Sequence, residues 1–179
     1  AGHPAERIVT LARELRADLT VIGSHGQAGE TPWNLGTTAH QVVTVTGGSV
    51  FIARAGAGAN VRRILVPLDG AQRTESVLPT AARIADACGA ELVLVHVVHE
   101  PIPTGVLRDA LDLEVARRLA SHLEVSATAY LERLRAGLVR DGATIRTRVV
   151  RHVSDGQGLL AIARDEAADL IVVTAHGAA

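Results

Sequence analysis

Apolar and polar positions along this chain alternate between a helical and a strand-like period, and the switches between them mark out the elements. Residues 5–16 (AERIVTLARELR) place Ile8, Leu11, Ala12 and Leu15 on one helical face, with Pro4 at the start. The short apolar run LTVIG, residues 19–23, reads as a strand. Its near-continuous hydrophobicity predicts a parallel strand covered on both faces. A loop with four glycines follows, GSHGQAGETPWNLGT, residues 23–37. A helix is expected from Thr37 to about Val45, then a break at Gly47-Gly48 and a strand over 49–54 (SVFIAR). The small residues AGAGAN, 55–60, read as a flexible linker. Beyond it the pattern predicts a strand over 62–69, a helix over 74–88 and a strand over 91–98. A proline-bearing loop spans 100–105, and a long helical pattern, one bent helix or two, covers 107–141. TIRTRVV, 144–150, alternates like a strand; a helix over 157–167 and a strand within 169–177 complete the series. Strands alternating with helices predict βαβ units, a parallel sheet and right-handed crossovers.

The pattern also repeats. Residues 8–26 (IVTLARELRADLTVIGSHG) and 159–177 (LLAIARDEAADLIVVTAHG) match at eight of nineteen positions, 151 residues apart. That offset is too long for a solenoid and suits a whole α/β domain. The simplest reading is a tandem excerpt of a longer protein, since the chain starts at Ala1 and holds no methionine. Residues 1–58 would be the back half of one domain, and 59–179 a second domain without its last helix and strand. The alternative is a permuted domain, in which 1–58 complete the sheet begun by 59–150.

Composition narrows the class. Hydrophobic residues make up 47% of the 179, but aromatics only 2%, so the core must be built from Val, Leu, Ile and Ala. The net charge of −1 gives no electrostatic reason to expect nucleic acid or an anionic membrane surface. No apolar run reaches the roughly 18 residues of a membrane span, and no signal-peptide pattern opens the chain. Cys88 is the only cysteine, which excludes an intramolecular disulfide and fits a cytoplasmic location.

The glycine loop carries the chemistry. Gly23, two residues, Gly26, nine residues, then Gly36-Thr37 leads from a strand into a helix. Bare backbone lets N–H groups approach a phosphate without obstruction by a Cβ. Free N–H groups and the helix dipole at Gly36, Thr37 and Thr38 favour an anion. The loop has no lysine and is not a Walker A loop.

This spacing is similar to the Gly-x2-Gly-x9-Gly-Ser/Thr pattern of the universal stress protein family, and the resemblance runs along essentially the whole chain. ILVPLDG (64–70) resembles the family's first strand, HVV (96–98) the end of its second, and ADLTVIGSHG and ADLIVVTAHG its fourth strand and loop. The resemblance implies a doubly wound, open parallel α/β sheet of five strands in the order 3-2-1-4-5, Rossmann-like and akin to the adenine nucleotide α-hydrolases. It also implies domains paired through their last strands, as a homodimer or a tandem intramolecular pseudo-dimer, with SVFIAR as the pairing strand. It implies ATP binding, with Mg2+ accompanying the phosphates, in proteins of stress tolerance and signalling that are not dedicated catalysts.

Carried over residue by residue, Gly23 and Gly26 line the ribose and first phosphates, and Thr37 donates its hydroxyl to a phosphate. Asp69 accepts a hydrogen bond from the adenine amine. Pro67 and Val97 line the ring pocket, and Ile22 adds a backbone or apolar contact. In the second copy Thr174 replaces Gly23, while Gly177 matches Gly26. A non-nucleotide dimerisation or interaction module is the alternative function. A related α-hydrolase or transferase lacks a visible substrate site.

Plainer roles compete for the same residues. Gly23 and Gly26 would also serve a simple turn, Thr37 a helix N-cap and Asp69 a turn before Gly70. His25 and His176 recur at one repeat position, but neither they nor His96 and His99 have partners at metal-ligand spacing. Trp33 is expected to anchor its loop and Cys88 to pack as a small core residue.

Overall fold

The computed structural model describes residues 3–24, 35–54, 56, 58, 60–100, 110–138 and 144–174. They fall into two compact units, one within Ala1–Gly58 and the other spanning Ala59–Thr174.

The first unit runs α1 (Pro4–Glu14), β1 (Leu19–Gly23), α2 (Thr37–Val45) and β2 (Ser49–Ala53). The proline at the start of α1 lacks only an N–H that has no intrahelical partner there. β1 and β2 pair in parallel, Leu19 against Ser49 through Gly23 against Ala53. Ala5 and Val9 of α1 and Val42 of α2 are buried against Ile22 and Val50. Both helices therefore cover one face of the pair. The expectation that β1 is covered on both faces does not hold among the described residues: Leu19, Val21 and Phe51, on the opposite face, are 51%, 65% and 39% exposed.

The second unit runs β3 (Arg63–Pro67), α3 (Gln72–Glu75), α4 (Leu78–Cys88), β4 (Glu91–His99), α5 (Ala110–Leu138), β5 (Ile145–His152), α6 (Asp155–Asp165) and β6 (Leu170–Ile171). All its strand pairs are parallel, in the order β5-β4-β3-β6. Counted within the unit this is third, second, first, fourth. The described residues thus form a four-stranded and a two-stranded sheet rather than one of five. The neighbours of β3 are β4 and β6 of the same unit.

Side chains alternate across the sheet as strand geometry requires. Ile64, Val66, Leu92 and Leu94 pack on one face with Ala81 and Ala85 of α4 and Leu131 of α5. Leu65, Val93 and Val95 pack on the other with Ile162 of α6. Helices on both faces make the sheet doubly wound, and they explain why these strands are apolar on every side.

Two local readings are corrected, and a third is narrowed to one of its alternatives. The helix expected over 74–88 is two helices. Pro79 has no N–H and its ring clashes with a carbonyl one turn back, so the chain breaks and restarts at Leu78 with proline in the first turn. Cys88 is exposed rather than core: the buried stripe of α4 is Leu78, Ala81 and Ala85, and the helix ends beyond it at Gly89 in the left-handed conformation, φ 63°. The 107–141 pattern is one helix over Ala110–Leu138 among the described residues.

The two repeats also share a backbone detail. Arg16 and Ala167, at the 151-residue offset, leave α1 and α6 with φ of 50° and 47°. In both, the next amide closes on a carbonyl five residues back, Ala17 on Ala12 and Ala168 on Ala163, at 2.9 Å.

α6 lies close on the sheet at Gly158. A methyl there would stand 2.8 Å from Cβ of His152 and 3.0 Å from Cγ1 of Val97. Gly158→Ala is therefore expected to lower stability by about 1–2 kcal/mol, overpacking outweighing the helix propensity of alanine. A lowered urea midpoint with an unchanged slope is the observation that checks it.

Candidate functional site

Two clusters of the expected site residues lie at the carboxyl ends of strands, where open α/β sheets receive ligands. In the first unit the cluster surrounds the junction of β1 and α2. Gly23 is the last residue of β1. Ser24 follows, buried, its N–H donating to the carbonyl of Ala53 at 2.8 Å. The N–H of Gly36 then donates to the carbonyl of Ser24, also at 2.8 Å. The chain thus leaves β1 and enters α2 at one point. Gly26, His25 and Trp33 lie outside the described residues.

Gly36 is the N-cap of α2, with φ −59° and ψ 153°. Any residue adopts that conformation, so what glycine contributes is the missing Cβ. Thr37 and Thr38 are the first two helical residues; Thr37 is not the N-cap, and no side chain caps this helix. The first N–H to reach back into the helix is that of His40, to Gly36 at 2.9 Å. The amides of Thr37 and Thr38 precede it, so no carbonyl of the helix itself accepts from them. Ile22 packs its side chain into the core with Val42 and Val50, so only its backbone is left for a ligand.

In the second unit β3 and β4 bring Pro67 and Val97 to one face. Pro67 pairs with Val95, two residues before Val97, and Leu68 N–H donates to Val95 at 2.8 Å. Val97 packs toward the cluster of Leu65 and Ile162. Asp69 comes just after. Its Oδ1 accepts from the N–H of Ala71 at 2.8 Å and from the hydroxyl of Thr74 at 2.7 Å. These two donors, the Ala71 amide first, hold its carboxyl below the usual range. Gly70 takes φ 87°, which the turn after Asp69 requires. The turn role and an acceptor role thus coexist on one carboxylate.

Behind this turn, sequence reasoning missed a polar group. Tyr130 of α5 donates its hydroxyl to Glu75 Oε1 at 3.1 Å and meets His96 edge-to-face, ring centroids 6.3 Å apart. Burial first, then the Glu75 carboxylate, pushes the Tyr130 phenol up to about 12. Nδ1 of His96 is buried without a hydrogen-bond partner. A lone tyrosine in a chain so poor in aromatics was the one available signal. Among the described residues no three His, Cys, Asp or Glu side chains converge on a possible metal position. Thr174 is the last described residue; Gly177 and His176 lie outside them.

At the other end of the same sheet is a network of ion pairs. Glu91 binds Arg63 at 2.8 Å and Arg146 through a short contact. Glu166 binds Arg146 at 2.7 Å and Arg148 at 3.2 Å, and Arg63 donates to its main-chain carbonyl. Asp169 accepts the N–H groups of Arg62 and Arg63 at 2.8 and 3.0 Å. These charges tie the amino ends of β3, β4 and β5 to α6 and β6.

Parallel strands with helices on both sheet faces define a doubly wound α/β protein of the Rossmann-like class. A sequence model described as the universal stress protein family matches residues 1–54 and 60–179, and the chain belongs to that family. A universal stress protein from Archaeoglobus fulgidus is similar in structure, with a TM-score of 0.64 and 20% identity. The match covers 96% of this chain and 55% of that one, so this chain spans about half the length of that relative. The hypothetical protein MJ0577 matches with a TM-score of 0.54 and 24% identity, over 66% of this chain and 77% of that one. The universal stress protein UspA from Lactobacillus plantarum matches with a TM-score of 0.49 and 22% identity, over 68% and 81%. At these identities the likeness to the first two shows the fold. A search of curated proteins found no match.

Proposed function

We propose that this chain binds an adenine nucleotide, ATP, and works as a binding switch in a stress response rather than as a dedicated catalyst. One observation carries the reading: the amides of Thr37 and Thr38, which no helix carbonyl serves, stand where Gly36 is clasped to Ser24, beside the carboxyl end of β1. Amides at a helix start, reached through residues without Cβ atoms, suit a phosphate. The residues present fit that group: Gly23, Gly36, Thr37 and Thr38 would hold phosphates, with Mg2+ accompanying them. Pro67, Val97 and Asp69 are the adenine-type cluster of the second unit. Residues 1–58 are read as the back half of one domain and 59–179 as most of a second, in tandem. The unpaired edge of β2 is then the surface through which domains pair, within the chain or between two copies in the cytoplasm.

Equilibrium dialysis of the full chain with labelled ATP, with and without Mg2+, tests this. Thr37→Ala is expected to weaken binding about 10-fold, the loss of one hydrogen bond to a charged group. Gly26→Val is expected to weaken it as well. Absence of binding at millimolar ATP by the unaltered chain would sink the proposal. Thr174, at the repeat position of Gly23, favours a second reading for the second unit, an interaction module without nucleotide. A stoichiometry of one ATP per chain supports that division of roles, and two per chain contradicts it.

A further inference from the structure

We infer that Thr74 is a positioning residue that sets base selectivity at the adenine-type cluster, by turning Asp69 so that Oδ2 reads an exocyclic amine. This rests on the nucleotide reading above and adds to it the atom that discriminates between bases and the residue that aims it.

The two oxygens of Asp69 are not equivalent. Oδ1 is occupied by two donors, the Ala71 N–H at 2.8 Å and the Thr74 hydroxyl at 2.7 Å. Thr74 is buried, and its hydroxyl also lies 2.8 Å from the Ala71 carbonyl. Its single proton is shared between these two acceptors, and when it is donated to Oδ1 it holds the carboxylate in place. Among the described residues Oδ2 accepts no hydrogen bond from another residue, and Arg73 Nη2 stands 3.9 Å away, beyond hydrogen-bond length. The Asp69 side chain is 49% exposed. The result is a carboxylate with one oxygen anchored inward and the other free to accept.

A carboxylate in its ionised form has lone pairs and no proton. Facing Oδ2, a 6-amino purine offers a donor and a 6-oxo purine offers a second acceptor. The first gains a charge-assisted hydrogen bond and the second meets repulsion. Such selection fails if the carboxylate can rotate. Thr74→Val keeps the shape and removes the hydroxyl that prevents rotation. Thr74→Ser keeps the hydroxyl.

The test is dialysis of the full chain against ATP and against ITP, which differ at the 6-position, an amine against a carbonyl, and in the proton that the 6-oxo base carries on N1. The unaltered chain is expected to prefer ATP by about 10-fold, one charge-assisted hydrogen bond at a half-exposed site. T74V should bring the two affinities to within about 3-fold of each other, and T74S should retain the preference. D69N gives a second reading of the same geometry. Its carbonyl would take the place of Oδ1 under the Ala71 and Thr74 donors, leaving its NH2 at the Oδ2 position, so the preference should invert toward ITP. Adding T74V to D69N should abolish that inversion, an effect that a purely structural threonine would not produce. If T74V fails to fold, the D69N inversion decides the matter. Equal binding of ATP and ITP, an unchanged ratio in T74V, or no inversion in D69N overturns the inference and leaves nucleotide binding standing. Binding of neither nucleotide at millimolar concentration overturns both.

Discussion

Leu65→Ala is expected to destabilise the second unit by about 2–5 kcal/mol, the range for deleting a fully buried leucine. Leu65 lies on β3, between β4 and β6, paired with Val93 on one side and Ile171 on the other. Its side chain is fully buried against Val93, Val95 and Ile162, the residues through which α6 rests on the sheet. Backbone hydrogen bonds on both edges of β3 prevent the strand from sinking into the space vacated. The lost transfer free energy is then augmented by a cavity. A urea transition of the second unit should shift to lower concentration with its slope retained. Val21→Ala is the control. That side chain is mostly exposed, and the change should be within about 0.5 kcal/mol.

Glu166→Ala is expected to cost about 2 kcal/mol, less than the full penalty for breaking a buried ion pair because its arginine partners are nearly half exposed. The glutamate side chain is itself only 10% exposed and bridges Arg146 and Arg148 of β5. Its loss leaves Arg148 without its carboxylate and Arg146 with Glu91 alone. The network also predicts a pH dependence. Hydrogen bonding from Arg146 first, and also from Arg63, lowers Glu91 below its ordinary value of 4.5. A carboxyl depressed in the folded state binds fewer protons there than in the unfolded chain, so stability rises with pH through that window. The contribution is complete above about 4.5 and is lost as pH falls through the depressed value. Thermal midpoints from pH 7 to pH 3 should fall more steeply in the unaltered chain than in Glu91→Gln. Equal slopes would show that the network does not carry the effect.

The strands of the second unit were legible because both faces are covered. Continuous runs such as ELVLVHVV can pack nowhere else, and β4 forms over Glu91–His99. The same logic misled at β1. LTVIG has the composition of a doubly covered strand, yet α1 and α2 both lie on one face, and composition does not say on which face a helix will land. The break before α4 was written in Pro79 and was overridden by the helical periodicity around it. α6 begins at Asp155, two residues earlier than expected, because Ser154 takes an extended N-cap conformation and an aspartate suits the positive end of the helix.

The candidate site was legible in part. Spacing in the sequence located Gly36 and Thr37 at a helix start, and they lie there; which of them is the N-cap depends on backbone angles that residue types do not fix. Asp69 was visible as one residue with two competing roles. That its turn contacts all fall on Oδ1 follows only from where Ala71 and Thr74 come to rest. The ion network was illegible for a related reason. Arg146 and Arg148 alternate as any edge strand might, and their partners are 18 to 55 residues away.

The clasp between Gly36 and Ser24 separates two kinds of change that a lineage can make to this protein. The ends of the connection are fixed by the body of the unit, through Ala53, Ser24 and Gly36, and not by what lies between. Closing a flexible connection costs only about 0.6 kcal/mol more for each doubling of its length. Changes in the number of residues between Ser24 and Gly36 are therefore expected to cost little as long as these end contacts persist.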